Sequence, residues 1–203
     1  MKVALYGSTG NLGAILCRKL TDAGHMVRAL TLTDVKPTYR GIVFIKGDAS
    51  NYTDVLTVMQ GCEAVIDALG GDEHSAVRSV FASNIIKAMH ESHIARIIAM
   101  GGSGILKVGP WRFSQLPVFP RGKEDVTRDH ERVHQMLLKS NLRWTQICPS
   151  YMTVGPAKGA YKIRVGHPFL LWRQSVRLED VADFMVQELQ KNAYIQEQVA
   201  IIN

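Results

Sequence analysis

The chain begins with a short apolar segment that runs directly into a glycine-rich turn and then into a helical pattern. Lys2-Val3-Ala4-Leu5-Tyr6 has the composition of a buried strand, and Gly7-Ser8-Thr9-Gly10-Asn11-Leu12-Gly13 follows it at once. Apolar residues then recur at helical spacing at Leu12, Ile15, Leu16 and Leu20. This order of strand, turn and helix is typical of a site for the pyrophosphate of a dinucleotide.

The three glycines have separate roles in such a turn. Gly7 permits the tight turn, Gly10 lets the backbone approach the phosphates, and Gly13 lets the helix pack near the strand. The positive end of the helix and its unpaired N–H groups would face the anion. We therefore predict a cofactor-binding set in the turn, made of Gly7, Ser8, Thr9, Gly10, Asn11, Leu12 and Gly13.

The rest of the chain alternates between strand and helix patterns. This alternation predicts an α/β fold with one Rossmann-type, doubly wound parallel sheet and helices on both faces. Further strands are predicted at Met26–Leu32, Ile42–Ile45, Ala64–Leu69, Arg96–Met100, Trp144–Cys148 and Val199–Ile202. Later helices are predicted around Val55–Met59 after a cap at Ser50 or Asn51, and at Ser75–Ser92, Glu124–Leu138 and Val181–Leu189. No linker rich in Pro, Gly or Ser interrupts the 203 residues, so we expect one domain over 1–203.

Two long stretches, 104–122 and 152–175, lack a regular pattern. Long irregular loops in a compact domain are often functional, and in a parallel sheet they would lie near the carboxyl ends of the strands, where ligands bind. Their aromatic side chains could hold a flat apolar substrate or could only fix the loops in place. These side chains are Trp111, Phe113, Phe119, Tyr161, Phe169 and Trp172.

Composition argues against several classes of protein. Cys17, Cys62 and Cys148 show no C-x-x-C spacing and read as buried thiols in a reducing compartment. No signal peptide precedes the first strand, and no apolar run approaches the roughly 18 residues of a membrane span. We therefore expect a cytoplasmic protein with no membrane partner.

The net charge of +6 comes from scattered lysines and arginines, so we expect no nucleic-acid partner. A monomer and a weak homodimer both remain open.

Segments late in the chain carry a more specific likeness than the glycine turn does. They are residues 127–134 (TRDHERVH), 137–142 (LLKSNL), 156–161 (PAKGAY) and 176–185 (VRLEDVADFM). Together with the turn, which is similar to GATGxxG, they resemble the atypical short-chain dehydrogenases. This NAD(P)-binding group includes the NmrA-like proteins, and the likeness is strongest to its biliverdin reductase B, or flavin reductase, branch. The resemblance implies an NAD(P)H-dependent reductase that transfers a hydride to a flavin-like, tetrapyrrole-like or quinone acceptor.

The usual catalytic motif of short-chain dehydrogenases is missing, and the candidate catalytic residues come from the resemblance instead. Ordinary short-chain dehydrogenases use Tyr-x-x-x-Lys, in which the lysine lowers the pKa of the tyrosine. No tyrosine here has a lysine four residues later, which favours a reductase in which the protein mainly orients the nicotinamide and the acceptor. The resemblance places a serine after the fifth strand and a histidine after the sixth. Ser103 and Tyr151 are the corresponding residues of this sequence, and Tyr151 could donate a proton or stack.

Further cofactor contacts are expected at the ends of the strands. The resemblance and the fold place Gly102, Pro149 and Ser150 near the nicotinamide. They place Leu69-Gly70-Gly71 at the ribose and pyrophosphate, and Asp48-Ala49 at the adenine.

The choice between NADP and NAD depends on the residues after the second strand. Thr31 and Thr33 are neutral donors there. Lys36, Arg28 or Arg40 could bind a 2′-phosphate, whereas Asp34 would favour NAD if it turned inward. We predict NADP, with NAD possible.

Other chemistries have weaker support. His130 and His134 share a helix face, but Glu131 is not placed as in H-E-x-x-H, and we predict no metal site. The resemblance also places His130 where many atypical members carry a lysine, so it could face the nicotinamide or could only make a structural hydrogen bond. No G-x-S-x-G elbow supports a hydrolase, and the missing Tyr-x-x-x-Lys argues against an epimerase or a dehydratase. The main alternative is a non-catalytic, NmrA-like sensor that binds NADP and a protein partner.

Overall fold

The structure, a computed structural model, describes residues 1–36, 39–70, 77–170 and 175–203. The strands in these ranges are β1 (Lys2–Tyr6), β2 (Met26–Thr31), β3 (Ile42–Lys46), β4 (Ala64–Asp67), β5 (Arg96–Met100), β6 (Lys107–Val108), β7 (Trp111–Arg112), β8 (Arg143–Pro149), β9 (Tyr151–Thr153), β10 (Lys162–Val165), β11 (Ser175–Arg177) and β12 (Glu197–Ile202). The helices are α1 (Asn11–Asp22), α2 (Tyr52–Met59), α3 (Val77–Glu91), α4 (Glu124–Lys139) and α5 (Leu178–Lys191). Single turns of 3-10 helix lie at Ser103–Ile105 and Phe113–Gln115.

Eight strands form the central sheet, in the order β10-β12-β8-β5-β4-β1-β2-β3. All neighbouring pairs in it are parallel except β10 with β12. β1 has β2 on one side and β4 on the other, so the order of the strands reverses at β1. Ligands of open α/β sheets bind at the carboxyl ends of the strands beside such a reversal.

Apolar side chains pack against both faces of this sheet. One core layer joins α1 and α5 to the sheet through Leu16, Leu20, Val181, Met185 and Leu189. The other joins α2, α3 and α4 to it through Val55, Met59, Ile85, Met89, Val133 and Leu137. The predicted doubly wound sheet, with helices on both faces, is confirmed.

Two buried carboxylates fix segments that were recognised in the sequence. Asp129 accepts hydrogen bonds from the backbone N–H groups of Arg78, at 2.9 Å, and Ser79, at 3.3 Å, in the first turn of α3. Asp180 accepts from the N–H groups of Lys158 and Gly159, each at 3.0 Å. Because a buried carboxylate needs such donors, both residues stabilise the fold and tie α4 and α5 to distant segments.

The predicted elements within the described residues are present with shifted ends, but both stretches expected to be irregular contain strands. In 104–122, β6 pairs antiparallel with β7. β2 ends at Thr31, β4 ends at Asp67, and α5 begins at Leu178. The predicted start of α3, at Ser75, lies outside the described residues. The stretch 152–175 was expected to lack regular structure, yet β10 lies inside it and pairs antiparallel with β12. This strand is short and mostly exposed, which leaves it without the apolar run of a central strand.

Candidate functional site

The glycine turn brings three backbone segments into close contact. Gly7 has a φ of +86°, and a Cβ there would lie 2.5 Å from the carbonyl oxygen of Ala68. A Cβ at Gly13 would lie 1.9 Å from the carbonyl oxygen of Gly7. A Cβ at Gly10 would have only that same oxygen within 4 Å, at 3.4 Å, so the space beside Gly10 is open. Gly7 and Gly13 are therefore required by packing, whereas Gly10 leaves room for a ligand.

The first turn of α1 differs from the first turns of the other helices. Gly10 caps α1 without a side-chain hydrogen bond, and the first turn holds no acidic residue. Within the described residues, each of the other helices has a carboxylate in or against its first turn. These are Asp54 in α2, Glu124 and Asp125 in α4, and Glu179 and Asp180 in α5, while Asp129 of α4 bonds to the first turn of α3. The N–H groups at the start of α1 thus remain available to an anion.

A groove of about 350 Å³ runs along this helix end. It is lined by the turn, by the segment after β4, and by residues of β5, α3 and α4. Of the predicted cofactor residues, Gly10, Asn11, Leu12, Leu69 and Gly70 line it. Gly71 lies outside the described residues. The hydroxyl of Ser8 donates a hydrogen bond to the carbonyl oxygen of Leu30 at 2.7 Å, so this side chain fixes the turn to β2, and Thr9 beside it is exposed.

The residues after β2 bear on the choice of cofactor. The hydroxyl of Thr31 is buried and bonds to the backbone of Thr33, so it closes a local turn. Thr33 and Lys36 are exposed. The Asp34 carboxylate lies 2.7 Å from Lys46 Nζ in an exposed ion pair.

Both arginines proposed for the 2′-phosphate are poorly placed for it. The guanidinium of Arg28 donates hydrogen bonds to the carbonyl oxygens of Thr57, at 2.7 Å, and Val58, at 2.9 Å. This side chain therefore caps the end of α2. Arg40 precedes β3 and so lies at the amino end of the sheet, opposite the glycine turn. Of the three proposed cations, Lys36 is the one that remains.

The adenine-side residues follow β3 directly. Asp48 Oδ1 accepts a hydrogen bond from the Ser50 N–H at 2.8 Å, which closes a turn, and Ala49 is buried. Asn84 donates a hydrogen bond to the Ala49 carbonyl oxygen at 3.0 Å. These contacts hold the turn at the carboxyl end of the sheet, and neither Asp48 nor Ala49 lines the groove.

Asp67 is a buried acid at the end of β4. Its Oδ1 accepts a hydrogen bond from the Leu69 N–H at 3.0 Å. Burial raises the pKa of Asp67 to about 6, although this hydrogen bond and the charge of Arg78 act in the opposite direction. The carboxylate thereby shapes the segment that forms one wall of the groove.

A second, larger cavity of about 790 Å³ adjoins the groove at the ends of β5, β8 and β12. Its walls are mostly apolar and include Phe113, Val118, Phe119, Val126, Phe169 and Leu170. Among the lining residues that the structure describes, Lys123 is the only charged side chain. The cavity is therefore suited to an uncharged, largely apolar molecule.

The aromatic residues of the two irregular stretches divide between different places. Phe113, Phe119 and Phe169 line the larger cavity, and Phe113 contacts Phe119 edge to face. Trp111 is exposed and does not line it. Tyr161 packs against Phe184 of α5 instead. Trp172 lies outside the described residues.

The proposed reaction residues, with their neighbours Gly102 and Pro149, line the larger cavity. Ser103 begins a 3-10 turn, and no hydrogen bond of its hydroxyl is seen within the described ranges. The hydroxyl of Ser150 is buried and has no partner among the described residues. Tyr151 is 77% exposed at the cavity wall. Cys148 also lines the cavity, and its burial raises the pKa of the thiol well above the usual range, so it remains protonated.

The groove and the cavity meet at Gly101, His130 and Met152, which line both. A Cβ at Gly101 would lie 2.8 Å from Cys148 Sγ, and a Cβ at Gly102 would lie 3.2 Å from His130 Cδ2. These glycines let the end of β5 pass close to β8 and α4. Burial, with a smaller contribution from the charge of Arg78, lowers the pKa of His130 to about 4. The imidazole is therefore neutral near neutral pH.

Several groove residues were not found from the sequence, among them Arg78, Met100 and Val154. Arg78 lies in the first turn of the helix that follows β4, so its position relative to that strand is the signal that could have found it. Met152 and Val154 reach the groove only because β9 pairs with β11, a contact between distant segments.

The two histidines of α4 have different surroundings. His130 lines both the groove and the cavity, whereas His134 packs edge to face on Trp144 and lines neither.

Two further findings concern the described part of the chain. It contains no group of three or more His, Cys, Asp or Glu residues arranged to hold a metal ion. Within the same ranges, no helix has the length and apolar character needed to cross a membrane.

The comparisons with known proteins agree with this geometry. A family model described as NAD(P)H-binding matches residues 7–192. Three solved structures are similar over nearly their whole length, each at 22% identity. A "putative exported protein" from Burkholderia pseudomallei has a TM-score of 0.88 and covers 100% of both chains. A "putative epimerase" from Bacteroides thetaiotaomicron has a TM-score of 0.86 and covers 99% of this chain and 96% of its own. A "putative NADH-flavin reductase" from Streptococcus pneumoniae has a TM-score of 0.83 and covers 100% of this chain and 99% of its own. At this identity the three structures show a shared fold.

Proposed function

Because this chain belongs to the NAD(P)H-binding family, we propose that it is an NAD(P)H-dependent reductase of a flat, uncharged acceptor. The observation that carries this proposal is the junction of the two cavities. A groove at the bare first turn of α1 continues, past Gly101 and His130, into a largely apolar cavity lined by three phenylalanines. A dinucleotide in the groove and an acceptor in the cavity would meet there.

The groove residues fit a dinucleotide. The open space beside Gly10 and the uncapped N–H groups of α1 suit a pyrophosphate, which carries negative charge. Leu69 and Gly70 would hold the ribose next to it, and Gly102, Pro149 and Ser150 would flank the nicotinamide. When bound, the reduced nicotinamide supplies a hydride.

The larger cavity supports an acceptor of the isoalloxazine or quinone class. Phe113, Phe119 and Phe169 offer apolar ring surfaces, and the described lining holds one cation and no carboxylate. An uncharged planar ring system loses little hydration on entering such a site, whereas a phosphate group would lose more. We therefore expect riboflavin to be a better substrate than its phosphorylated form. The name of the Streptococcus pneumoniae neighbour points to the same class of acceptor.

The protein would contribute orientation more than proton transfer. Ser103 and Tyr151 are the candidates to contact the acceptor, and the hydroxyl of Ser103 could donate a hydrogen bond to it. Tyr151 is mostly exposed, which favours stacking over the role of a general acid. Reduction by hydride transfer also needs one proton, which water can supply at an exposed wall.

NADPH is the favoured form of the cofactor. Lys36 is an exposed cation after β2, and Lys46 neutralises the nearby Asp34. This arrangement reduces the repulsion that an unpaired acid would exert on a 2′-phosphate.

The test is an acceptor panel in which oxidation of NADPH and NADH is followed at the absorbance of the reduced nicotinamide. Riboflavin, its phosphorylated form and a small naphthoquinone are the acceptors. Turnover above the protein-free rate with riboflavin or the quinone is expected. Cofactor binding without turnover by any acceptor would contradict the reductase and favour a dinucleotide sensor.

A paired variant ties that activity to the groove. Gly10→Val should fold, because the φ of −73° at Gly10 suits any L-residue and the added side chain points into open space. It should weaken cofactor binding by about 2 kcal/mol, roughly thirtyfold, since valine would fill the phosphate position. Ala14→Val, at an exposed position of the same helix, is the control. Equal affinity in both variants would place the cofactor elsewhere.

A further inference from the structure

His130 lies on the boundary between the groove and the larger cavity, and the catalytic scheme above does not use it. Two features fix its surroundings. Next to it in the chain, Asp129 is fully buried and bonds to the first turn of α3. Gly102 also supplies the space that the ring occupies, since a Cβ there would lie 3.2 Å from Cδ2 and 3.6 Å from Nε2.

The two ring nitrogens face different surroundings. His130 Nδ1 is buried and has no hydrogen-bond partner among the described residues. The edge of the ring that carries Nε2 lies against Gly102, which lines the larger cavity and not the groove. Of the two ring nitrogens, Nε2 is thus the one beside a residue of the cavity wall, and we infer that it is the one that can contact a molecule in the cavity.

The position of the proton follows from the same contrast. A neutral imidazole has one N–H and one lone pair. A buried N–H without an acceptor is tolerated less well than a buried lone pair without a donor, so Nδ1 should carry the lone pair. The N–H then lies at Nε2, where a carbonyl oxygen or a ring nitrogen of a bound molecule would accept it.

We propose that His130 determines acceptor specificity by donating a hydrogen bond from Nε2 to a carbonyl oxygen or ring nitrogen of the acceptor. This inference rests on the proposed reductase function. It restricts the acceptor to planar ring systems that carry a hydrogen-bond acceptor on the edge facing the cofactor groove. His130 would also be the side chain that aligns this edge with the groove.

The test compares three variants by binding and by turnover. His130→Phe keeps a flat ring and removes the donor, whereas His130→Gln keeps a donor. His134→Phe is the control, because His134 lies one turn later on α4, packs on Trp144 and lines neither cavity. Circular dichroism and thermal unfolding identify any variant that is not folded.

Riboflavin binding is measured by flavin fluorescence with NADP⁺ present, so that no turnover occurs. His130→Phe should weaken riboflavin about tenfold, which is the effect of one lost hydrogen bond, while the dissociation constant for NADP⁺ changes less than twofold. His130→Gln should retain riboflavin affinity within about threefold, and His134→Phe should match the wild type. In turnover, His130→Phe should raise KM for riboflavin more than it lowers kcat.

The outcomes separate this inference from the proposed function. If the wild type oxidises NADPH with riboflavin, and His130→Phe has the wild-type KM and dissociation constant for riboflavin, the inference is wrong and the reductase stands. Equal losses of affinity for NADP⁺ and for riboflavin in His130→Phe would also overturn the inference, since the residue would then contribute to cofactor binding. If the wild type binds riboflavin without oxidising NADPH, the reductase fails, and the binding data still decide the role of His130. A wild type that binds neither riboflavin nor a naphthoquinone overturns both.

Discussion

The groove and the larger cavity are built in opposite ways. The end of the groove at α1 takes its shape from a turn of seven consecutive residues, in which Gly7 and Gly13 leave no space for a side chain, and more distant residues such as Arg78, Met152 and Val154 complete the groove. The cavity is lined by twelve residues within 101–130, by residues 148–152, 169–170 and 175, and by the end of β12. The helix end of the groove is thus determined locally by the backbone, and the cavity by the packing of distant segments.

This difference predicts how each site responds to substitution. In the groove, a single added carbon can prevent the backbone from closing, so the effect depends on which glycine is changed. In the cavity, each wall residue contributes one part of a broad apolar surface, so single changes should have graded effects. The fold can therefore keep its cofactor while the acceptor varies.

The strongest test of this difference is Gly13→Ala compared with Gly10→Ala. The new Cβ at position 13 would lie 1.9 Å from the carbonyl oxygen of Gly7, whereas a Cβ at position 10 would lie 3.4 Å from the same oxygen. Alanine favours a helix over glycine by about 1 kcal/mol, but the overlap at position 13 should cost about 3 kcal/mol or more. Urea unfolding should show a large loss of stability for Gly13→Ala and a change within about 0.5 kcal/mol for Gly10→Ala. Equal stabilities would mean that the turn adapts and that its backbone is not closely packed.

The second test concerns the buried acid below the groove. The pKa of Asp67 is about 6 in the folded protein, against an ordinary value of 3.8, so the folded state binds more protons between these values. The contribution of Asp67 to the free energy of unfolding should therefore fall as pH rises from 4 to 6, and the penalty of roughly 3 kcal/mol persists above pH 6.

Asp67→Asn should remove this slope and be more stable than the wild type at pH 7, because its amide oxygen can still accept from the Leu69 N–H. The measurement is urea unfolding at pH 4, 5, 6 and 7. Asp22→Asn, which alters an exposed carboxylate of α1, is the control and should keep the wild-type slope. Parallel curves for Asp67→Asn and the wild type would show that the buried carboxylate does not titrate in this range.

The same contrast explains what the sequence could predict. The glycine turn, the alternation of strands and helices, and the position of Ser103 after β5 depend on neighbouring residues, and the structure places them as expected. The capping of α3 by Asp129 joins residues about fifty positions apart, and no local pattern encodes it. β10 has the polar and apolar alternation of Lys162-Ile163-Arg164-Val165, but four residues at a sheet edge give a weak signal. Tyr161 and Phe169 have similar local patterns, and only the tertiary packing sends one to α5 and the other to the cavity.

A smaller effect is expected in the segment that follows β2. Lys36→Glu should weaken NADPH about tenfold and NADH less than twofold, because the charge at an exposed site changes from attraction to repulsion of the 2′-phosphate. The difference should shrink at high salt, since exposed charges are screened. Dissociation constants for both cofactors at low and high ionic strength provide the measurement, with Lys162→Glu on β10 as the control. Equal losses for NADPH and NADH would remove Lys36 from the recognition of the 2′-phosphate.

The smallest effect is expected at the cavity wall, where Tyr151 is 77% exposed. If the ring stacks on the acceptor, Tyr151→Phe should keep both kinetic constants, and Tyr151→Ala should raise KM about fivefold with little change in kcat, as a loss of uniform binding does. If its hydroxyl were a general acid, Tyr151→Phe should instead lower kcat by roughly 10²-fold or more. Steady-state rates with riboflavin separate the two roles, and Ser103→Ala measured beside them tests the neighbouring hydroxyl. We expect the stacking result, because a side chain that is mostly exposed offers its ring surface to a bound acceptor. Wild-type rates in both Tyr151→Ala and Ser103→Ala would show that the reaction takes place at another part of the cavity.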